Sequence, residues 1–218
     1  MVLPPATALP IEPLLQALRD RAVDGAQKGL RWLVRQQKSD GSFRSRVYPV
    51  LASGQSLTPL ILWTILELPA SLRTELSEEV AAAQQWILDS QEPSGALGFG
   101  SRIADYPSYA TALALRCTLR LKPARWRIAA RKMALWLDEQ QFMASRGWVE
   151  HPAEGGWGMG SEAPLEPPRS GHVDLSMTRA ALEALSDSGA QFGPRSESMS
   201  AANRFVLRSM VKSGGFFS

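Results

Sequence analysis

Residues 28–43 read Lys-Gly-Leu-Arg-Trp-Leu-Val-Arg-Gln-Gln-Lys-Ser-Asp-Gly-Ser-Phe, and this stretch decides the fold because its pattern recurs along the chain. An aromatic residue is followed at once by an aliphatic one, then by a glutamine five positions after the aromatic, and then by a glycine–aromatic turn. The copies are spaced roughly 50 to 70 residues apart, which indicates a repeat protein. The matching residues are Trp32, Trp86, Trp136 and Phe205; Gln37, Gln91, Gln141 and Met210; and the turns Gly41-Ser42-Phe43, Gly98-Phe99, Gly156-Trp157 and Gly215-Phe216.

A second, more apolar segment lies between the copies and begins at Thr58, Thr111 and Thr178. The copies themselves carry charges on one face and an aliphatic–aromatic stripe on the other, which predicts amphipathic helices. The sequence therefore predicts an all-α fold of stacked helix pairs, because no pair could bury its apolar helix alone. The predicted outer helices are 25–38, 77–91, 125–141 and 198–212, and the predicted inner helices are 56–68, 107–121 and 174–186.

The spacing that recurs from copy to copy predicts how successive pairs are joined. We expect the glycine to allow a tight turn with positive φ and the glutamine to bond the unpaired carbonyls at its own helix end. The aromatic residue is expected to pack across the junction to the next pair. We predict loops at 39–55, 92–106, 142–171 and 187–197, a flexible Pro-rich leader at 1–11, and one repeat domain at 12–218 whose first helix starts near Glu12.

Charge and composition exclude some classes of protein. The net charge is only +3, and the arginines are scattered along the helices, so we expect no nucleic-acid partner. The small positive excess fits either peripheral contact with an anionic membrane surface or a phosphate, or simply a solvated surface. Nothing approaches the roughly 20 apolar residues of a membrane span. Without a secretory signal, and with the single cysteine Cys117, a cytoplasmic setting is expected.

The segment 28–43 resembles the Gln-Trp repeat of squalene–hopene and oxidosqualene cyclases. The segment 155–160, Gly-Gly-Trp-Gly-Met-Gly, followed by Asp-Leu-Ser-Met-Thr at 174–178, strengthens this likeness. From about residue 25 the chain resembles the prenyltransferase-and-squalene-oxidase-repeat proteins of the terpenoid cyclase superfamily. The resemblance implies an α/α toroid around an apolar cavity. A ring of about six pairs is usual there, so this chain is expected to form about half a ring. It is then either a fragment, an open solenoid, or a partner of a missing half-ring or of a second copy.

The resemblance also implies a function: binding of a long apolar isoprenoid and, if the chain is catalytic, proton-initiated cyclisation, an isomerase reaction. That chemistry needs a carboxylic acid kept protonated in an apolar pocket. The family's Asp-x-Asp-Asp cluster is absent, and Asp174 is the nearest candidate acid. One interpretation makes Asp174 a cavity-facing acid tuned by His172. The other makes it a helix N-cap that accepts from the amides of Ser176 or Met177.

No metal and no cofactor are expected. The superfamily's protein prenyltransferases hold zinc through Asp, Cys and His, but Met177 stands at the position of their histidine. Glu154, Glu162 and Glu166 could gather near Asp174, or belong to a solvated loop.

Aromatic residues on or near the inner helices are the candidates for a ligand pocket, although core packing is an alternative for each. They are Trp63, Tyr106 and Tyr109, with Trp157 at the cavity mouth. The alternative function, from another class, is a non-catalytic helical scaffold that binds a protein or peptide on its concave face. The Gln-Trp pattern and the apolar inner helices fit both functions.

Overall fold

The computed structural model describes residues 11–210, and every regular element in this part of the chain is helical, as predicted. The predicted turn at Gly215-Phe216 and all of the predicted leader except Ile11 lie outside the described residues. The α-helices are α1 Ile11–Val34, α2 Leu57–Glu67, α3 Ala70–Arg73, α4 Ser77–Asp89, α5 Pro107–Leu121, α6 Trp126–Gln140, α7 Leu175–Phe192 and α8 Ser196–Arg208. Short 3-10 turns occur at Pro49–Leu51 and Ala144–Arg146.

The contacts divide the chain into two units, Met1–Gln37 and Lys38–Ser218. The described part of the first unit is mainly α1, a single long helix over Ile11–Val34. Its apolar side chains are largely exposed, among them Leu14 and Leu18. Trp32 is 58% exposed, and its packing across a junction stays a prediction. Gln37 lies beyond the end of α1 and is half-buried.

In the second unit the helices form two layers. Helix α5 packs against α2 and against α7, and these three helices form the inner row. Helix α4 packs on α2 and α5, α6 on α5 and α7, and α8 on α7, so they form the outer row. The large buried side chains of α2, α4, α5, α6 and α7 share one apolar core. This is the stacking of pairs that the repeat predicted, whereas closure into a ring stays a prediction.

One hydrogen bond, from a backbone amide in the turn to a threonine hydroxyl, recurs at the start of every inner helix. The amide N–H of Phe43 donates to Thr58 Oγ1 over 2.9 Å, that of Leu97 to Thr111 Oγ1 over 2.9 Å, and that of Trp157 to Thr178 Oγ1 over 3.1 Å. In the second copy the residue that makes this bond is Leu97. The sequence had indicated Phe99 for this place in the turn. Because the donor is a main-chain amide, an aliphatic residue such as Leu97 can stand at this position as well as an aromatic one.

A glycine stands two residues before each of these amides because the main chain of the next outer helix passes close by. Gly41, Gly95 and Gly155 have φ of 87°, 104° and 88°. A Cβ on them would lie 2.4, 2.4 and 2.1 Å from main-chain atoms of Ala82, Lys132 and Ala201. The turn glycine of the second copy is thus Gly95 and that of the third is Gly155, where the sequence had indicated Gly98 and Gly156.

The repeat glutamines tie these turns to the following outer helix. Gln91 Nε2 donates to the carbonyls of Gly95 and Ala129 over 3.1 and 3.0 Å. Gln141 Nε2 donates to Gly155 O and Ser198 O, both over 2.9 Å. The expectation that they bond carbonyls of their own helix end is therefore wrong, because their acceptors lie in the turn and in the next helix.

The repeat aromatics of the outer row pack against the loop of the preceding pair, so the prediction that they pack on the next pair is wrong for them. Trp86 has the Arg44 guanidinium 5.9 Å from its ring centroid. Buried Trp136 meets Phe99 edge to face with centroids 6.2 Å apart, and a Cβ on Gly156 would lie 3.0 Å from the ring of Phe205. These aromatics join each outer helix to the pair before it.

Helix α7 extends to Phe192, so the predicted loop at 187–197 is wrong over its first half. Ser188 and Gly189 lie within that predicted loop. In the structure Ser188 is buried and its hydroxyl donates to Leu185 O over 2.8 Å, so the helix continues. The predicted loop 142–171 is confirmed, and it packs on a small core of its own around Phe142 and Trp148.

Candidate functional site

The exposed side of the inner row carries a groove centred on Trp63. Two adjoining cavities of about 410 and 290 Å³ share Trp63, Glu67 and Arg116. We call this surface the inner-row groove. Its remaining lining residues are Leu60, Tyr109, Leu113, Arg179, Ala180 and Glu183 on one side, and Leu119, Arg120 and Asp187 on the other.

Arg116 crosses the groove and joins all three inner helices. Its guanidinium carbon lies 4.1 Å from the ring centroid of Trp63 on α2, within the range of a cation–π contact. Its Nη1 and Nε donate to Glu183 and Asp187 of α7 over 2.7 and 2.8 Å. The side chain is only 18% exposed, so the cation is fixed in place by an aromatic face and two carboxylates.

Further ion pairs extend this arrangement along the groove. Arg120 lies 5.8 Å from the Trp63 centroid and donates to Glu67 over 3.3 Å and to Leu66 O over 3.0 Å. Arg179 lies 3.7 Å from Glu183. The three arginines and three carboxylates of the groove balance one another in charge.

The inner helices, which the sequence predicted to be apolar, carry charged side chains along the groove. They are apolar where they face neighbouring helices and charged where they face the groove. The spacing of Arg116 and Arg120, and of Arg179, Glu183 and Asp187, follows one helix face. That spacing was readable in the sequence, but the partners on other helices were not.

The structure brings together two of the four aromatic candidates. Trp63 and Tyr109 both line the inner-row groove. Tyr106 precedes α5 with φ of 45° and packs partly buried against the core. Trp157 has no exposed surface, and its indole N–H donates to Leu137 O over 2.7 Å. Its prediction at a cavity mouth is wrong, and the packing alternative is confirmed.

Asp174 is the N-cap of α7, as one of its two interpretations predicted. Its Oδ1 accepts from the Met177 amide over 2.7 Å and from Ser176 Oγ over 2.8 Å, and its Oδ2 lies 3.0 Å from His172 Nε2. Burial raises the pKa of this carboxyl, but the bonds from Met177, Ser176 and His172 outweigh burial and lower it below the usual value. Asp174 is therefore held ionised, the opposite of what a proton-donating acid needs.

Asp174 and His172 line a separate open groove of about 820 Å³, together with His151, Phe205 and Ser209. His151 Nδ1 accepts from the Ala153 amide over 3.1 Å, and its ring meets Trp148 edge to face. The contact of His172 with Asp174 was predicted. The second histidine of the groove was not singled out in the sequence.

Asp105 is a fully buried carboxylate that sequence reasoning missed. It accepts from Ser53 Oγ over 2.5 Å, from the Ser56 amide over 3.2 Å, and from Ser56 Oγ. It thereby ties the loop before α5 to the start of α2, which makes it a structural residue. Its partners lie 49 and 52 residues away, so no local pattern could have indicated this bond.

Among residues 11–210, no group of three or more His, Cys, Asp or Glu side chains is placed to hold a metal ion. Glu154 lies 3.9 Å from Arg204, while Glu162 and Glu166 are exposed. Burial raises the pKa of the Cys117 thiol well above its usual range, so this thiol stays protonated.

No helix in the described part of the chain has both the length and the apolar character needed to cross a membrane. Comparison of the chain with family models, with curated proteins and with solved structures finds no match.

Proposed function

We propose that this chain is a non-catalytic helical-repeat scaffold that binds a peptide segment in the inner-row groove. The observation that carries the proposal is Arg116, which holds Trp63, Glu183 and Asp187 together across three helices on an accessible face. Tryptophan and arginine are the residues that most often dominate protein–protein binding energy. Their clustering at the centre of one groove favours a protein ligand.

The groove's dimensions and charges fit an extended peptide. Three adjacent helices with axes 8–10 Å apart span roughly 20 Å, the length of about six extended residues. Most of the carboxylates and arginines are partly exposed, and such ion pairs contribute only about 0–1 kcal/mol. A ligand with both acidic and basic side chains can exchange partners with them at little cost.

The test is a selection of random peptides of roughly 12 residues, about twice the span of the groove, displayed on phage against the wild-type chain. The selected peptides are synthesised and titrated by fluorescence anisotropy. Trp63→Ala and Arg116→Gln should each weaken binding at least about tenfold, the range of a hot-spot residue. Trp126→Ala, which removes a half-buried tryptophan on the outer row, is the matched control and should leave binding within about twofold.

Trp63→Phe guards against a folding defect, because it keeps an aromatic ring in the groove. It should retain most of the affinity and the wild-type circular dichroism. The proposal fails if no selected peptide binds in solution, or if all selected peptides bind Trp63→Ala as tightly as the wild type.

The isoprenoid-binding function implied by the cyclase resemblance is the second candidate. It is favoured by one observation, the apolar wall that Leu60, Tyr109 and Leu113 form beside Trp63. Its test is organic extraction of the purified protein and mass spectrometry of the extract, followed by incubation with squalene. Recovery of a stoichiometric isoprenoid would favour this candidate over the scaffold, and a cyclised product would establish an isomerase. Asp174→Asn leaving such an activity intact would remove Asp174 as the acid.

A further inference from the structure

The outward face of α6 combines cations with exposed aliphatic side chains. Arg127, Arg131 and Lys132 are exposed there. Ile128 and Leu135 lie on the same face, 63% and 48% exposed, because residues three and four apart share one side of a helix. A shallow cavity of about 390 Å³ is lined by these five residues with Gln191 and Phe192 from the end of α7.

The start of the helix adds further positive charge. Lys122 and Arg125 precede α6 and are exposed. Trp126 lies between them and the helix face, with Lys122 Nζ 5.9 Å and the Arg127 guanidinium 5.0 Å from its ring centroid. We call the set the α6 patch; it consists of Lys122, Arg125, Trp126, Arg127, Ile128, Arg131, Lys132 and Leu135.

The cations of the α6 patch are not neutralised within the described chain. None of the five has a carboxylate of residues 11–210 within ion-pair distance. Asp138, near the end of the same helix, is bound instead to Arg195. Glu139 is exposed but lies at the far end of α6. Three unpaired cations therefore lie on the outward face of α6, and two more lie just before the helix.

We propose that the α6 patch binds peripherally to the surface of an anionic phospholipid bilayer. Positive side chains are attracted to anionic headgroups, and aliphatic residues between them enter the boundary with the acyl chains. Tryptophan favours that boundary because its ring is amphipathic. A nucleic acid would use the cations but would gain nothing from exposed Ile128 and Leu135. This inference does not rest on the inner-row groove, which lies on the other layer of helices.

The experiment is co-sedimentation with phosphatidylcholine vesicles that contain about 30% phosphatidylserine, compared with vesicles of phosphatidylcholine alone. The full chain should sediment with the anionic vesicles and not with the neutral ones. Binding should weaken as salt rises from about 0.05 to about 0.5 M, since salt screens exposed charges. The variant Arg127→Gln/Arg131→Gln/Lys132→Gln should lower the partition coefficient at least about tenfold.

The matched control is Arg46→Gln/Arg102→Gln/Arg169→Gln, which removes the same net charge from exposed arginines elsewhere. It should keep binding within about twofold. A second variant, Ile128→Ser/Leu135→Ser, keeps every charge and should also weaken binding. Circular dichroism checks that all three variants are folded.

Three results would overturn the proposal. The wild type could fail to sediment with anionic vesicles. The control could lose as much binding as the α6 variant, which would indicate net charge and not this patch. A short DNA duplex could displace the vesicles while Ile128→Ser/Leu135→Ser binds normally, which would indicate a nucleic-acid surface.

Discussion

Asp174 and the first turn of α7 depend on each other through two bonds. The Met177 amide and the Ser176 hydroxyl donate to one carboxylate oxygen, and this holds the pKa of Asp174 below its usual value although burial acts in the opposite direction. The same contacts stabilise the helix start and keep the carboxyl charged. A lowered pKa is thus evidence for a cap here and against a proton donor.

Asp174→Ala is expected to reduce the free energy of unfolding by about 1 kcal/mol at pH 7, the usual contribution of an N-cap. The folded pKa lies below the unfolded one, so the carboxylate's contribution is complete above the unfolded pKa and is lost as pH falls through the folded pKa. The difference between wild type and variant should therefore shrink below about pH 4. Urea unfolding monitored by circular dichroism at several pH values measures it.

Asp174→Asn is the control, because asparagine caps helices about as well as aspartate. It should be nearly as stable as the wild type at pH 7 without sharing the acid-side loss. A deficit of Asp174→Ala that stays constant into the acid range would contradict the capping account.

Individual residues could be predicted from the sequence where their bonds are local or periodic. The threonines that begin the inner helices and the N-cap alternative for Asp174 were visible because each stands at a fixed place in a repeat or beside a helix start. Asp105 and Arg116 were not assigned because their partners come from distant segments. Sequence spacing gives the face of a helix, but not what lies opposite that face.

At the scale of elements, each turn between layers works by contact between main chains. Gly95 lies against Lys132 of α6, with φ of 104° and no room for a Cβ. The sequence indicated that a glycine was needed, yet it favoured Gly98 because an aromatic follows there. The position of the turn glycine depends on how closely α6 approaches the turn, and no local sequence pattern predicts that approach. The length of α7 was missed for the same reason, since Ser188 is buried among neighbouring helices.

Gly95→Ala should destabilise the chain by at least about 2 kcal/mol, because it combines positive φ with a clash against backbone. Gly189→Ala is the matched control within α7. Gly189 has no atom within 4 Å of an added Cβ, so alanine should stabilise the helix by about 0.5–1 kcal/mol. Urea midpoints at a common slope measure both changes. Equal effects of the two substitutions would mean that the turn relaxes and does not constrain α6.

At the scale of the whole molecule, the two-row stacking of the second unit follows from the repeat. The order of inner and outer helices could be predicted because an apolar helix and an amphipathic helix alternate along the chain. The number of pairs in the stack and its closure into a ring could not be predicted. Each pair contacts only its neighbours, and the curvature arises from small rotations between pairs. The chemistry of the inner-row groove could not be predicted either, because the inner helices of three pairs form the groove together.

The position of a helix in this stack should determine how far a defect spreads. Helix α5 packs on α2, α6 and α7, whereas α8 packs mainly on α7. Leu115 on α5 is fully buried, so Leu115→Ala should cost about 2–5 kcal/mol and raise amide hydrogen exchange in every helix of the second unit. Phe205 on α8 is 7% exposed, and Phe205→Ala should raise exchange in α8 and the end of α7 first.

Leu207→Ala separates these effects from a general response of α8. Leu207 is 57% exposed on that helix, so its loss should change stability by less than about 0.5 kcal/mol. Local opening after Phe205→Ala follows if each pair is stabilised chiefly by its neighbours, because the last outer helix can then detach without unfolding α2 and α5. Equal exchange increases in α2 and α8 after Phe205→Ala would instead mean that the stack unfolds as one cooperative unit, and a nearest-neighbour description would no longer apply.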